Sequence, residues 1–266
     1  MAATPEQFTL TIEKLSERDK TANILVYGGM GVGKTSFAAT APRGILWLEA
    51  EGGTNSIEDP SNIDIVRMSG LESYREALRF LQANPTKYKT VVIDSISEVQ
   101  AAVMSEIMRG VVAKDDEGKR NEFAPQLGEW GHLTGVMRAI IRSYRDLPVN
   151  VVLTALTRED TDERTGMVRV KPGLTPALAD DISNFMDAVI YMGTSAGDGE
   201  VDGESDVIYN ALLKPTGKYA AKVRNPKGKT VAVPKTITDP TFADIASLMG
   251  VLEPVKKQAA KPTAKK

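Results

Sequence analysis

Gly28-Gly29-Met30-Gly31-Val32-Gly33-Lys34-Thr35 matches the phosphate-loop pattern G-x-x-x-x-G-K-[ST] at every fixed position. No other stretch restricts the fold so strongly, because the loop works only between a strand and a helix. Both flanks are present. Asn23-Ile24-Leu25-Val26-Tyr27 is a short apolar run that reads as a buried strand, and Thr35-Ser36-Phe37-Ala38-Ala39-Thr40 reads as the opening of a helix. The glycines let backbone N–H groups turn inward around a polyphosphate, and the helix start adds partial positive charge. Gly28, Gly29, Met30, Gly31, Val32, Gly33, Lys34, Thr35 and Ser36 are therefore the expected nucleotide-binding residues. Lys34 would reach the β- and γ-phosphates, and the Thr35 hydroxyl would hold Mg²⁺.

Thr90-Val91-Val92-Ile93-Asp94 is a second apolar run, ending in an acid that can hold the same Mg²⁺. Ser95 with Glu98 forms a capping box, so a helix follows at once and runs to about Arg109. Ile45-Leu46-Trp47-Leu48 reads as another strand. It ends in Glu49-Ala50-Glu51, which puts two carboxylates where α/β sheets bind ligands. Ile63–Val66 and Val149–Ala155 add further strands, and Ser69 with Glu72 is expected to cap a helix over 71–83. A long helix is expected over 128–146, with Trp130 near its start as a core or interface residue, base stacking being the other use open to it.

The stretch from Arg158 to Gly173 is polar, with a turn at Thr165-Gly166. Thr175-Pro176 starts a helix that ends near Asp181, and Asp239-Pro240 starts another that runs to Gly250. Strands are expected over 185–192, 207–213 and 219–224. Gly197 to Glu204 resembles a calcium loop, but Tyr209 stands where the closing Glu is required, so it reads as a solvated hairpin tip. Phe8-Thr9-Leu10-Thr11-Ile12 alternates like a half-buried strand. It can pair with its own sheet or with that of a neighbouring subunit. Residues 251–266 form a basic tail expected to be disordered.

Composition narrows the function classes. The formal net charge of −2 provides no global basic field, so a nucleic-acid site must be a local patch. The absence of Cys removes thiolate metal sites and disulfides. The single His132 excludes multi-histidine metal sites and reads as a polar helix-face residue. No apolar run has membrane-spanning length and the N-terminus lacks a signal-peptide layout, so a cytoplasmic protein without a membrane partner is expected.

The phosphate loop, the acids after the second strand, "VVIDS", "VVLTAL" and a late Lys-x-Arg coincide in one chain. Together they resemble the phage-encoded RecA-like ATPases of the single-strand annealing and recombination type, over about residues 8 to 250. The resemblance implies an α/β RecA-like P-loop core over 23–250, with a mostly parallel sheet, helices on both faces and a C-terminal antiparallel extension. Residues 1–22 would be an arm suited to oligomerisation. ATP and Mg²⁺ become the expected ligands, with Lys34, Thr35 and Asp94 at the phosphates and metal. Glu51 lies where such enzymes orient the attacking water, with Glu49 in support. Lys222 and Arg224 match a pair that many RecA-like proteins insert into a neighbour's nucleotide site, both on one face of a strand. Such proteins also carry a polar amide after the "VVLTAL" strand; here Thr154 or Thr157 would have to sense the γ-phosphate.

The same resemblance implies DNA-contacting loops holding Lys114, Lys119 and Arg120, and Arg158, Arg164, Arg169 and Lys171. Charge alone reads both as solvated loops, because acids are interleaved. The implied partners are further copies in a ring or filament, single-stranded DNA and a single-strand-binding protein, in the host cytoplasm if a phage encodes the chain. Two rivals stay open. One is a nucleotide-dependent structural or regulatory oligomer that never touches DNA. The other is a phage DNA motor, disfavoured because no second domain or accessory motif is visible.

Overall fold

In a computed structural model the described residues are 14, 20–201, 204–226 and 232–253. The predicted strand Phe8–Ile12 and the basic tail from residue 254 onward lie outside them, as do residues 202–203 of the predicted hairpin tip 197–204, whose other residues belong to two paired strands instead.

The first half alternates strand and helix: β1 (Asn23–Gly28), α1 (Lys34–Ala39), β2 (Ile45–Glu49), a 3-10 turn (Gly53–Ser56), β3 (Ile63–Arg67), α2 (Leu71–Ala83), β4 (Thr90–Asp94), α3 (Ile96–Val112), α4 (Leu127–Arg145) and β5 (Asn150–Ala155). There follow β6 (Thr157–Thr161), β7 (Val168–Pro172), α5 (Pro176–Phe185), β8 (Ala188–Val201), β9 (Glu204–Leu212), β10 (Lys222–Val223), β11 (Thr236–Thr238) and α6 (Phe242–Leu248). One 9-stranded sheet runs in the order β11-β9-β8-β1-β5-β4-β2-β3, with β10 also on β8. From β8 through β3 every pairing is parallel, while β9, β10 and β11 are antiparallel. The expected mixed α/β architecture with an antiparallel C-terminal side is the one observed.

The inner strands are buried on both faces, which is why they read as unbroken apolar runs. Leu25 and Tyr27 of β1 face one core with Val91, Ile93, Val151 and Leu153; helices α2 to α5 close it through residues such as Tyr74, Val99, Leu133 and Leu178. Ile24 and Val26 face the opposite core with Trp47, Val92 and Val152, closed by Phe37 of α1 and Phe242 of α6. Period-two alternation thus feeds two layers from each strand. β1 is flanked by β5 and β8, strands from much later in the chain.

Several local expectations are corrected. Residues 157–172 form an antiparallel hairpin, β6 with β7, rather than an irregular loop. Ser69 does not cap α2. The N-cap is Gly70, and the Leu71 N–H is met at 3.0 Å by Glu106 of α3. Asp239-Pro240 does not start α6. Thr241 does, in a capping box with Asp244, while Asp239 takes a positive φ of 45°. α5 continues past Asp181 to Phe185, because Ile182 and Phe185 reach the core.

Candidate nucleotide site

β1 delivers Gly28 to the C-terminal edge of the sheet, and the loop 29–33 turns back into α1. Gly28 cannot carry a side chain: a Cβ there would lie 2.4 Å from the Met192 carbonyl oxygen of β8. Gly31 and Gly33 hold left-handed backbone at φ 71° and 83°, a conformation that glycine adopts without steric cost. Met30 is 87 % exposed, so it joins the cradle through its backbone only.

Lys34 folds over the loop. Its ammonium donates to the carbonyls of Gly29 at 2.6 Å and Gly28 at 3.2 Å. Burial depresses its pKa from the usual lysine value, and the Glu51 and Asp94 carboxylates pull it back up. A phosphate would offer this ammonium a full negative charge in place of neutral carbonyls.

Asp94 ends β4 and is 4 % exposed. Thr35 Oγ1 donates to its Oδ2 at 3.0 Å, and Thr154 Oγ1 donates to its Oδ1. Burial holds the carboxyl above the usual carboxylate range, against the hydroxyls of Thr154 and Thr35; Glu51 adds to the rise and Lys34 opposes it. Among the described residues no ion pair reaches Asp94. A buried carboxylate beside a threonine hydroxyl, without a cation of its own, fits Mg²⁺. Thr35 and Asp94 would hold the metal, which would supply positive charge to offset that of the phosphates. Ser36 is exposed at the first turn of α1.

Glu51 follows β2, which runs in register beside β4 with Glu49 opposite Asp94. Its carboxylate accepts from Ser95 Oγ, placing it directly beside the Asp94–Thr35 pair. Glu49 is 6 % exposed and anchors the 3-10 turn: it accepts from Thr54 Oγ1 and pairs with Arg67 at 3.4 Å. The turn brings Gly53 close enough that a Cβ there would lie 3.6 Å from Thr35 Oγ1. Glu49 therefore supports the segment that carries Glu51. Sequence reasoning assigns Ser95 to the cap of α3, a bond it does make to the Glu98 N–H at 3.4 Å. Its second role at Glu51 is missed, although it adjoins Asp94 in the chain. Thr154 is occupied by Asp94, and Thr157 is the first residue of the β6–β7 hairpin.

Lys34, Thr35, Glu51 and Asp94 thus converge. Lys222 and Arg224 do not join them. β10 pairs with Ala188 and Val189 at the start of β8, the end of the sheet opposite the phosphate loop. Both cations do turn to one side, onto the last turn of α5. Lys222 bonds the Ser183 carbonyl, and Arg224 bonds the Asn184 carbonyl at 2.8 Å and Asp187 at 2.9 Å.

Most cations singled out for DNA are matched by nearby acids. Lys119 pairs with Glu117 at 2.6 Å, Arg120 with Glu129 at 3.1 Å, Lys171 with Asp180 at 2.6 Å, and Arg158 with Asp160. Arg169 stands opposite Asp160 across the hairpin, and Arg164 lies at its turn beside Asp162. Lys114 follows the end of α3. Phe123 and Leu127 beside this loop are 85 % and 88 % exposed, and Trp130 is 42 % exposed rather than a core residue. His132 is exposed on α4. Among the described residues, no helix is long and apolar enough to cross a membrane.

No curated protein matches the chain. Among solved structures, it is similar to the flagellar accessory protein FlaH from Methanocaldococcus jannaschii, at 12 % identity and a TM-score of 0.43, over 86 % of this chain and 92 % of that one. The family model described as "AAA domain" matches residues 20–227, which include the phosphate loop, Glu51, Asp94 and the β6–β7 hairpin, so the chain belongs to the AAA domain family AAA_24.

Proposed function

We propose that this protein binds Mg²⁺-ATP, hydrolyses it, assembles into a ring or filament, and binds single-stranded DNA to promote annealing and pairing in phage recombination. The observation that carries the ATPase reading is the convergence of Lys34, the Thr35–Asp94 pair and Glu51 at the C-terminal ends of the parallel strands β1, β4 and β2. Lys34 binds the phosphates, Thr35 and Asp94 hold the metal, and Glu51 orients the attacking water and takes up its proton. Water is a poor nucleophile, so its positioning is what hydrolysis most needs.

Assembly is supported by the sheet edge. Among the described residues β3 pairs only with β2, and Ile65 and Val66 on it are 49 % and 39 % exposed. An open edge of this kind accepts a further strand, and Phe8–Ile12 of a neighbouring copy has the alternation to supply one. Lys222 and Arg224, remote from their own phosphate loop, then act on a neighbour's triphosphate. DNA binding is supported by exposed Phe123 and Trp130, whose rings can stack on unpaired bases, beside Lys114 and Lys119.

The pairing of Arg120, Arg158 and Lys171 with carboxylates favours a second reading, an ATP-dependent oligomer that leaves nucleic acid alone. ATP turnover measured with single-stranded DNA, duplex DNA and RNA separates the two. Stimulation by single strands supports the recombination reading; turnover indifferent to every nucleic acid supports the second. Normal turnover by Lys34→Ala refutes both.

A further inference from the structure

The phosphate loop has two unlike flanks. On the side of β5, β4 and β2 stand Asp94 and Glu51, the groups for the metal and the attacking water. On the other side, β8 and β9 run on beyond the end of β1. Gly28 is the last residue of β1 and lies opposite Met192, yet β8 continues to Val201 with β9 paired along it.

Tyr209 of β9 leans from this extension onto the loop. A Cβ built on Gly33 would lie 3.1 Å from Tyr209 Cδ1 and 3.4 Å from its Cε1, with Met192 Cε at 3.5 Å. Tyr209 nonetheless remains 37 % exposed, and Val207, on the same face of the strand, is 52 % exposed. The Tyr209 backbone is held at both polar atoms by Asp239: the Asp239 N–H donates to its carbonyl at 2.7 Å, and its own N–H donates to Asp239 Oδ1 at 3.4 Å. An aromatic ring is thus fixed beside the loop, with part of its surface open.

A nucleoside triphosphate crosses such a loop with one polarity. The terminal phosphate belongs beside the acids, where water and metal act on it. The nucleoside must then leave over the opposite flank, above β8 and β9. We propose that Tyr209 is the nucleoside wall of the site, its open ring surface lying against the aromatic base of the bound nucleotide. This rests on the ATP-binding reading above and adds where the base goes. Every base has a π-face, so a tyrosine wall strengthens nucleotide binding without choosing among bases.

The test is calorimetric titration of the full chain, in Mg²⁺, with ATP and with inorganic tripolyphosphate, which has the phosphates but no base. Tyr209→Leu keeps an apolar side chain against Gly33 and removes the ring; Tyr209→Phe keeps the ring. The expected result is ATP affinity lowered on the order of tenfold in Tyr209→Leu and unchanged in Tyr209→Phe, with tripolyphosphate affinity the same in all three proteins. Equal loss for both ligands in Tyr209→Leu would mean that the ring only props the loop, and no loss for either would mean that it does not meet the nucleotide. Each overturns the proposal. Failure of the unsubstituted protein to bind either ligand, or undiminished binding by Lys34→Ala, would instead overturn the underlying ATP-binding reading.

Discussion

Two alanine substitutions one residue apart test the packing of the phosphate loop. At Gly28 a Cβ would sit 2.4 Å from the Met192 carbonyl oxygen and 2.7 Å from Val32 Cγ2. The first distance is about 0.9 Å short of the ~3.3 Å at which carbon meets a carbonyl oxygen. That carbonyl belongs to the β1–β8 pairing, so it cannot yield without disturbing the register of β1. Overpacking of this kind costs about 1–3 kcal/mol, and immobile backbone argues for the upper end. At Gly29 the nearest atom is Val32 Cγ1 at 4.0 Å, and the residue is not in the left-handed region. Alanine there should be neutral or stabilise by about 0.4–1 kcal/mol, by restricting the unfolded chain. With about 2–4 °C of Tm per kcal/mol for a chain of roughly this size, the two variants should differ by about 6 °C or more. Thermal unfolding followed by circular dichroism, without nucleotide, reads the difference. Equal Tm values would refute the claim that Gly28 is required by close approach to β8.

Glu51→Gln should retain ATP binding and lose turnover by a factor on the order of 10²–10⁴, the usual worth of a positioned base; an unchanged rate removes Glu51 from the mechanism. Asp94→Asn should abolish Mg²⁺-dependent turnover yet raise Tm at neutral pH in metal-free buffer. The sign follows from the raised carboxyl pKa: the folded state holds its proton more tightly, so stability falls as pH rises through that pKa, and the neutral amide escapes the loss. A Tm difference that does not shrink on acidification below it would contradict this. Lys222→Ala should lose turnover and recover part of it when mixed with Glu51→Gln protein, since mixed assemblies contain interfaces with both halves intact. The ATPase rate of the mixture checks this, and no recovery argues against action in trans.

The parts legible in the sequence are those whose burial is uniform or whose chemistry is local. β1, β2, β4 and β5 are enclosed on both faces, so each appears as a continuous apolar run. The phosphate loop and Asp94 are legible because each sits at a strand end marked by the run before it. The β6–β7 hairpin is hidden because its strands are mainly polar, with Arg158, Glu159, Asp160 and Arg169 in the ladder. The α2 cap is hidden because its acceptor is Glu106, 35 residues away. Glu51 on Ser95, Asp94 on Thr154 and Tyr209 against Gly33 also join distant segments, and nothing local in the chain announces them.

The position of β1 has a consequence for synthesis. Its two neighbours are β5, beginning at Asn150, and β8, beginning at Ala188. While the ribosome has made only the first half of the chain, the phosphate-loop motif exists in sequence but β1 lacks both flanking strands. The Met192 carbonyl against which Gly28 packs does not yet exist. Pairings of such long sequence separation form late and slowly. A nascent chain arrested before β8 should therefore be unable to retain nucleotide, and on the proposed function ATP would be a ligand that rewards only the completed sheet.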